Sequence, residues 1–187
     1  AASDVYKRQT CYSWNLLADK AKHDIVMLMG DDVQVQTKDW DQLIIEQFNQ
    51  YEDKILMVVP SDGRSKGTKK FKLDQPTLWP DDPLPAAHFA VHKNWTNTLG
   101  YLAPVFFWHW YVDSYTQKVA RKINRCLYLP TVEFKVKKIT NDNAGKQIRS
   151  NLNINLRDNY VWERVRGTHL YTDVDRLAKF IKEKSTS

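Results

Sequence analysis

The run Ile25-Val-Met-Leu-Met29 is wholly apolar and stops abruptly at Gly30-Asp31-Asp32. Five apolar residues in succession, ended by a turn triplet, read as a short β-strand covered on both faces. The next segment has a different period. From Thr37 to Tyr51 the apolar residues Trp40, Leu43, Ile44, Phe48 and Tyr51 recur at spacings of three and four, which predicts an amphipathic helix, with Asp39 and Gln42 resembling a capping box. A second buried strand, Ile55-Leu-Met-Val-Val59, is ended by Pro60. Buried strands alternating with amphipathic helices belong in an α/β domain.

The same pattern continues along the chain. A helix is predicted over Thr10 to Lys22, with Trp14, Leu17, Ala18 and Ala21 on one face. Asn94 to Leu99 reads as a short helix capped by Asn94 and closed by Gly100. Asp113 to Asn124 is a further helix, Cys126 to Leu129 a strand, and Asp173 to Lys184 an amphipathic helix with Val174, Leu177, Phe180 and Ile181 inward. Val132 to Lys138 alternates, with Val132, Phe134 and Val136 facing one way and Glu133, Lys135 and Lys137 the other. Ser61 to Ala87 is rich in Gly, Pro, Asp and Lys and keeps no period, as functional or mobile loops do. No repeat, low-complexity segment or linker divides the chain, so residues 10–187 read as one domain. Ala1 to Gln9 has no pattern leading into the rest; it resembles translated sequencing-adapter DNA and is set apart from the fold.

Composition excludes some classes. Twenty-three aromatic residues among 187 are too many for a disordered chain. The longest apolar stretch, Tyr101 to Val112, is broken by Pro104 and His109 and is too short to span a bilayer. Cys11 and Cys126 have no metal-like spacing, which argues against zinc and suits a reducing compartment. The formal charge of +6 is compatible with nucleic acid, an anionic membrane surface or a phosphorylated substrate, and does not choose among them.

Chemistry concentrates at Gly30-Asp31-Asp32. Carboxylates at the carboxyl end of a buried strand stand where ligands bind in open α/β sheets, and they suit a hard divalent cation that bridges a diphosphate. The same triplet is also ordinary turn chemistry. A hydrophobic run followed by Gly-Asp-Asp also resembles the metal-binding hairpin of RNA-dependent RNA polymerases. Those enzymes need a further upstream aspartate, a larger chain and a strand returning from the triplet, whereas here a helix is predicted next, so nucleic acid is not expected as a partner.

Several segments, in order, resemble family-2-like glycosyltransferases with the GT-A fold. They are Asn15-Leu-Leu-Ala-Asp19, His23-Asp-Ile-Val-Met-Leu-Met-Gly-Asp-Asp-Val33, Trp40 on its helix, and His88-Phe-Ala-Val-His-Lys-Asn-Trp95. Leu99-Gly-Tyr-Leu-Ala-Pro104, Phe107 to Asp113 and Arg125-Cys-Leu-Tyr-Leu-Pro130 continue the series. The resemblance runs from about Tyr12 to Trp162. It implies a GT-A-like, Rossmann-like mixed sheet flanked by helices, and transfer of a sugar from a nucleotide-sugar donor to a glycan or other acceptor hydroxyl, with inversion and with Mn²⁺ or Mg²⁺ as cofactor.

Residue by residue, the resemblance makes Asp31-Asp32 the D-x-D-type site, with Asp32 as metal ligand and Asp31 nearer the donor ribose. Asp113 takes the place of the catalytic base, or serves as a helix N-cap. Asn15, Asp62 and Lys138 join the donor side. Trp108, His109, Trp110 and His88 join the acceptor side, where rings stack on sugar faces or pack in the core. His88 and His92 also fit structural roles.

Two departures from the family pattern stand out. The strand–helix–strand unit that opens such domains is not found before Tyr12. The family's later metal-binding histidine falls near Val136, among Lys135, Lys137 and Lys138, so that Lys137 or Lys138 either neutralises the diphosphate as a point charge or forms a solvated basic strand edge. A catalytically degenerate carbohydrate-binding domain of the same fold is the alternative reading. A cytoplasmic protein, or one peripheral to a membrane, is the expected location.

Overall fold

A computed structural model describes residues 10–63, 75–79, 86–137, 146 and 150–186. Its elements are α1 (Thr10–Lys20), β1 (Ile25–Leu28), β2 (Val33–Val35), α2 (Trp40–Asn49), β3 (Met57–Ser61), β4 (Thr77–Leu78), β5 (Phe89–His92), α3 (Lys93–Leu99), α4 (Val112–Lys122), β6 (Cys126–Val136), α5 (Leu152–Val165) and α6 (His169–Lys184). The architecture is α/β: a mixed sheet in the order β1-β5-β3-β6-β2, with β4 beside β6, flanked by helices. None of the described helices is long and apolar enough to cross a membrane.

The sheet is centred on β3 and β6, which run parallel from Met57 opposite Cys126 to Pro60 opposite Leu129. All five residues of β3 are buried, as its apolar run predicts. Pro60 lies inside this strand rather than ending it. It is tolerated because the pairing with β5 stops at Val58, so no ladder donor is required of residue 60 on that side. The register with β6 shifts between Pro60 and Ser61, bringing Ser61 opposite Glu133. β6 is one continuous strand, buried from Cys126 to Pro130 and alternating from Thr131 to Val136. Val132 and Phe134 face the core as expected. Val136 is 41% exposed, because the burial on that face ends with Phe134.

Two packed layers cover the sheet. On one face α2 lays Ile44 and Phe48 over Leu56, Val58, Ala90, Leu129 and Phe134. On the other, Trp95, Phe107, Tyr115, Val119, Leu170 and Leu177 from α3, the 101–111 segment, α4 and α6 pack over Met57, Phe89, Val91 and Tyr128. Strand alternation makes this division: Met57 and Val58 necessarily point to opposite layers.

Several local expectations are corrected. β1 pairs with β5 alone, and only Leu28 is buried while Ile25 to Met27 are half-buried; it is an edge strand among the described residues, so cover on both faces is incomplete. The helix predicted from Thr37 starts at Trp40. Val33–Val35 first pairs with β6, Gln36 N–H donates to the Glu133 carbonyl (2.8 Å), and the Thr37 hydroxyl accepts from Glu133 N–H (2.8 Å), holding the chain extended. Asp39 then adopts a left-handed conformation with φ of 53° and makes no side-chain cap, so the capping box is absent. The short helix α3 is capped by His92, whose Nδ1 accepts from Asn94 N–H at 3.0 Å, while the Asn94 amide donates to the Asp53 carbonyl. Gly100 closes α3 at φ 84°, a left-handed position that suits glycine.

On α1 the buried residues are Cys11 and Ala18, and Leu17 is 65% exposed rather than inward. α6 starts at His169 rather than Asp173, and α5 has no counterpart in the elements predicted from the sequence. Ala1 to Gln9 and Lys138 lie outside the described residues.

Candidate functional site

Strand direction decides what gathers where. β1 is antiparallel to β5, β5 is antiparallel to β3, and β3 is parallel to β6. The carboxyl ends of β1 and β3 therefore point to the same edge of the sheet, the edge toward which β6 also runs. Gly30-Asp31-Asp32 comes after β1 at that edge, and Asp62 comes after β3. The chain leaves α4 through a tight turn, in which Arg125 N–H donates to the Ala120 carbonyl at 2.8 Å, and doubles back into β6. Asp113 lies in the first turn of α4, at the other end of that helix. Placing carboxylates from different segments at the carboxyl edge of a sheet is the arrangement that open α/β proteins use for ligands.

Around the acidic pair the backbone is held from two sides. Lys137 N–H donates to the Asp32 carbonyl at 2.7 Å, extending the β2–β6 ladder one step. On the other side, Gly30 N–H lies 3.5 Å from His88 Nδ1. Asp32 Oδ1 stands 2.7 Å, and His88 Cε1 3.6 Å, from the point a Cβ would occupy at Gly30. The missing side chain at residue 30 thus leaves room for the Asp32 carboxylate, and it brings an oxygen and an imidazole from distant parts of the chain onto one spot. Asp31 is exposed, Asp32 and Asp62 are half-exposed, and His88 is buried. Among the described residues no three His, Cys, Asp or Glu side chains converge as a metal site. A divalent cation here would take carboxylate oxygens from Asp31 and Asp32 and would draw the rest of its coordination from a ligand and from water, the usual pattern for Mg²⁺ with phosphates.

Asp113 lies in the first turn of α4, but the N-cap is Tyr111 at φ 70°, so the cap reading of Asp113 is corrected. Its Oδ1 accepts from Ser114 N–H at 2.7 Å, and the residue remains half-exposed.

The aromatic segment before it is fixed by a residue that the sequence does not single out. Asp158 on α5 is fully buried and accepts backbone N–H groups from Trp108 (3.0 Å), His109 (2.9 Å) and Trp110 (2.8 Å), while the Arg157 guanidinium pairs with it at 2.7 Å. Three successive amides converging on one carboxylate set the path of the loop that leads into Asp113. Only Phe107 of that aromatic run is wholly core. Trp108 lies beneath the Arg157 guanidinium at 4.3 Å, and His109 Nδ1 lies 3.3 Å from the Thr10 hydroxyl. Trp108, His109 and Trp110 are all half-exposed.

Asn15 is spent on backbone: its amide donates to the Ala103 carbonyl (2.7 Å), and its oxygen accepts from Leu102 and Ala103 N–H (both 2.8 Å). It ties α1 to the segment after Gly100. A second buried carboxylate, Asp173, accepts the hydroxyls of Tyr101 and Tyr115 and joins α6 to that same region. Burial raises both phenols well above the usual tyrosine range. No signal in the sequence separates Asp158 and Asp173 from the exposed carboxylates of α5 and α6; only the position within a buried helix face does. No protein-family model matches the chain, and no curated protein or solved structure matches it either.

Proposed function

We propose that the chain is a metal-assisted glycosyltransferase domain of GT-A type, moving a sugar from a nucleotide-sugar donor to an acceptor hydroxyl. The observation that carries this reading is the placing of carboxylates from two segments at one edge of the sheet, Asp31 and Asp32 after β1 and Asp62 after β3; Asp113, in the first turn of α4, is the candidate base. Asp31 and Asp32 are the residues that would hold Mn²⁺ or Mg²⁺, and the cation, when bound, neutralises the leaving diphosphate.

The protein's own residues divide the remaining work. Gly30 keeps the Asp32 carboxylate folded over the backbone beside His88. The Lys137 bond fixes the Asp32 main chain. Asp113 accepts the proton of the attacking hydroxyl at its free oxygen while Ser114 holds the other. The half-exposed rings of Trp108, His109 and Trp110 offer flat faces on which an acceptor sugar stacks. Asp62 approaches the donor from the end of β3. The test is turnover of a panel of nucleotide sugars in Mn²⁺ with wild type and with Asp113→Asn: the reading expects released nucleotide diphosphate from one donor and its loss in the variant. Release unaffected by Asp113→Asn would remove the base assignment.

A further inference from the structure

The acidic pair lies on a stretch of chain outside the strands. β1 and β2 are the two ends of the strand order β1-β5-β3-β6-β2. The chain between Leu28 and Val33 therefore crosses the carboxyl edge of the sheet from one end of that order to the other. Residues 29–32 make this crossing and belong to no strand. Carboxylates on such a segment point wherever the crossing points them, so whatever fixes the backbone there fixes the geometry offered to a cation.

Among the described residues, two anchors reach the crossing. At its far end Lys137 N–H donates to the Asp32 carbonyl at 2.7 Å. At its near end stands His88, the residue before β5. The β1–β5 register sets Leu28 opposite Phe89, and one step further sets His88 beside Met29, where the crossing begins. From there the ring reaches the turn: Gly30 N–H points at His88 Nδ1 across 3.5 Å. His88 Cε1 and Asp32 Oδ1 stand 3.6 Å and 2.7 Å from the point a Cβ would occupy at Gly30, so ring edge and carboxylate meet over the same bare Cα. Phe134 of β6 backs the imidazole, with ring centroids 6.2 Å apart. His88 is 8% exposed. A ring so enclosed has no face left for a sugar to stack on, which argues against a place on the acceptor side.

We propose that His88 is the positioning residue of the acidic pair. Its Nδ1 accepts Gly30 N–H and its ring edge closes the space beside the Asp32 carboxylate, so that Asp31 and Asp32 meet a divalent cation in one arrangement. This rests on the metal-assisted reading and assigns within it a residue that touches neither ion nor sugar. The Gly30 contact is long for a hydrogen bond. Its removal therefore costs the fold little and the site more, since outer residues that orient metal ligands are typically worth about 10–100-fold in affinity.

The test uses Mn²⁺ alone, with no donor, on wild type, His88→Leu and His88→Asn. Leucine and asparagine share one branched shape, and only asparagine keeps an acceptor oxygen near the place of Nδ1. Calorimetry reads Mn²⁺ affinity. Amide exchange followed by NMR in the metal-free protein reads the hold on Gly30. The proposal expects Mn²⁺ affinity to fall about tenfold or more in His88→Leu, Gly30 exchange to quicken in the same variant, and both to stay near wild type in His88→Asn. Should His88→Leu lose its circular-dichroism spectrum, His88→Phe replaces it. Unchanged Gly30 exchange or unchanged Mn²⁺ affinity in the apolar variant overturns the proposal and leaves the metal-assisted reading standing. Equal losses in the apolar and asparagine variants do the same. A wild type that binds no Mn²⁺ removes that reading, and the proposal with it.

Discussion

The Asp158 carboxylate accepts the Trp110 backbone N–H at 2.8 Å, and through that bond a helix near the carboxyl end of the described chain sets the course of the loop leading to Asp113. With Trp108 and His109 N–H also bound and Arg157 beside it, the residue is a clamp whose removal strands several polar groups at once. Asp158→Ala should cost about 2–4 kcal/mol, given that Arg157 keeps some access to water. Urea denaturation measures this directly. A cost under about 0.5 kcal/mol would mean the loop is held by other contacts.

Gly30→Ala separates site geometry from stability. The added methyl would meet Asp32 Oδ1 at 2.7 Å, and that atom is the movable end of a side chain. The fold should therefore lose little, about 1 kcal/mol or less. Mn²⁺ affinity should fall about tenfold because the carboxylate is displaced. Thermal unfolding and metal titration of the same variant read the two effects separately.

Protonation of His92 should loosen the start of α3. Its Nδ1 accepts from Asn94 N–H, and burial lowers its pKa below the ordinary 6.5. With a depressed folded value, the contribution to stability is complete above about pH 6.5. It is lost as pH falls from there through the folded value. Stability curves between about pH 7.5 and 5 should show this slope in wild type, and a shallower one in His92→Asn, which keeps a cap without the titration.

Cys11 and Cys126 should both be inert in the native state. Each thiol is buried and is pushed up to about 12 by that burial, so almost no thiolate exists at about pH 8. Labelling with a thiol reagent at that pH should be slow for both and fast after unfolding. Rapid native labelling of either one would mean its helix or strand opens readily.

Much of this architecture is written in local pattern. The apolar runs at 25–29 and 55–59 each hold a strand, Ile25–Leu28 and, starting two residues later than expected, Met57–Ser61, and the three-four spacing at 40–51 and 174–181 marks helices, because burial on one face or both leaves a direct trace in sequence. The acidic pair is readable for the same reason: it interrupts an apolar run. Elements set by pairing partners are not readable. Val33–Val35 is a strand only because β6 extends past Phe134 to meet it, and the cap of α3 passes from Asn94 to His92 because Asn94 is drawn to the Asp53 carbonyl. α5 leaves no clear trace since Leu152, Leu156 and Tyr160 face outward, blurring its apolar stripe. The proximity of His88 to Asp32 depends on β5 crossing beside β1, a fact of topology.

Calorimetric titration of nucleotide sugars with and without Mn²⁺, on wild type and Asp32→Asn, probes the acidic pair most directly. The sugar-transfer reading predicts that one donor binds only with the metal, and that Asp32→Asn abolishes this binding while its circular dichroism stays native. Donor binding of equal strength without Mn²⁺, or undiminished in Asp32→Asn, would contradict it.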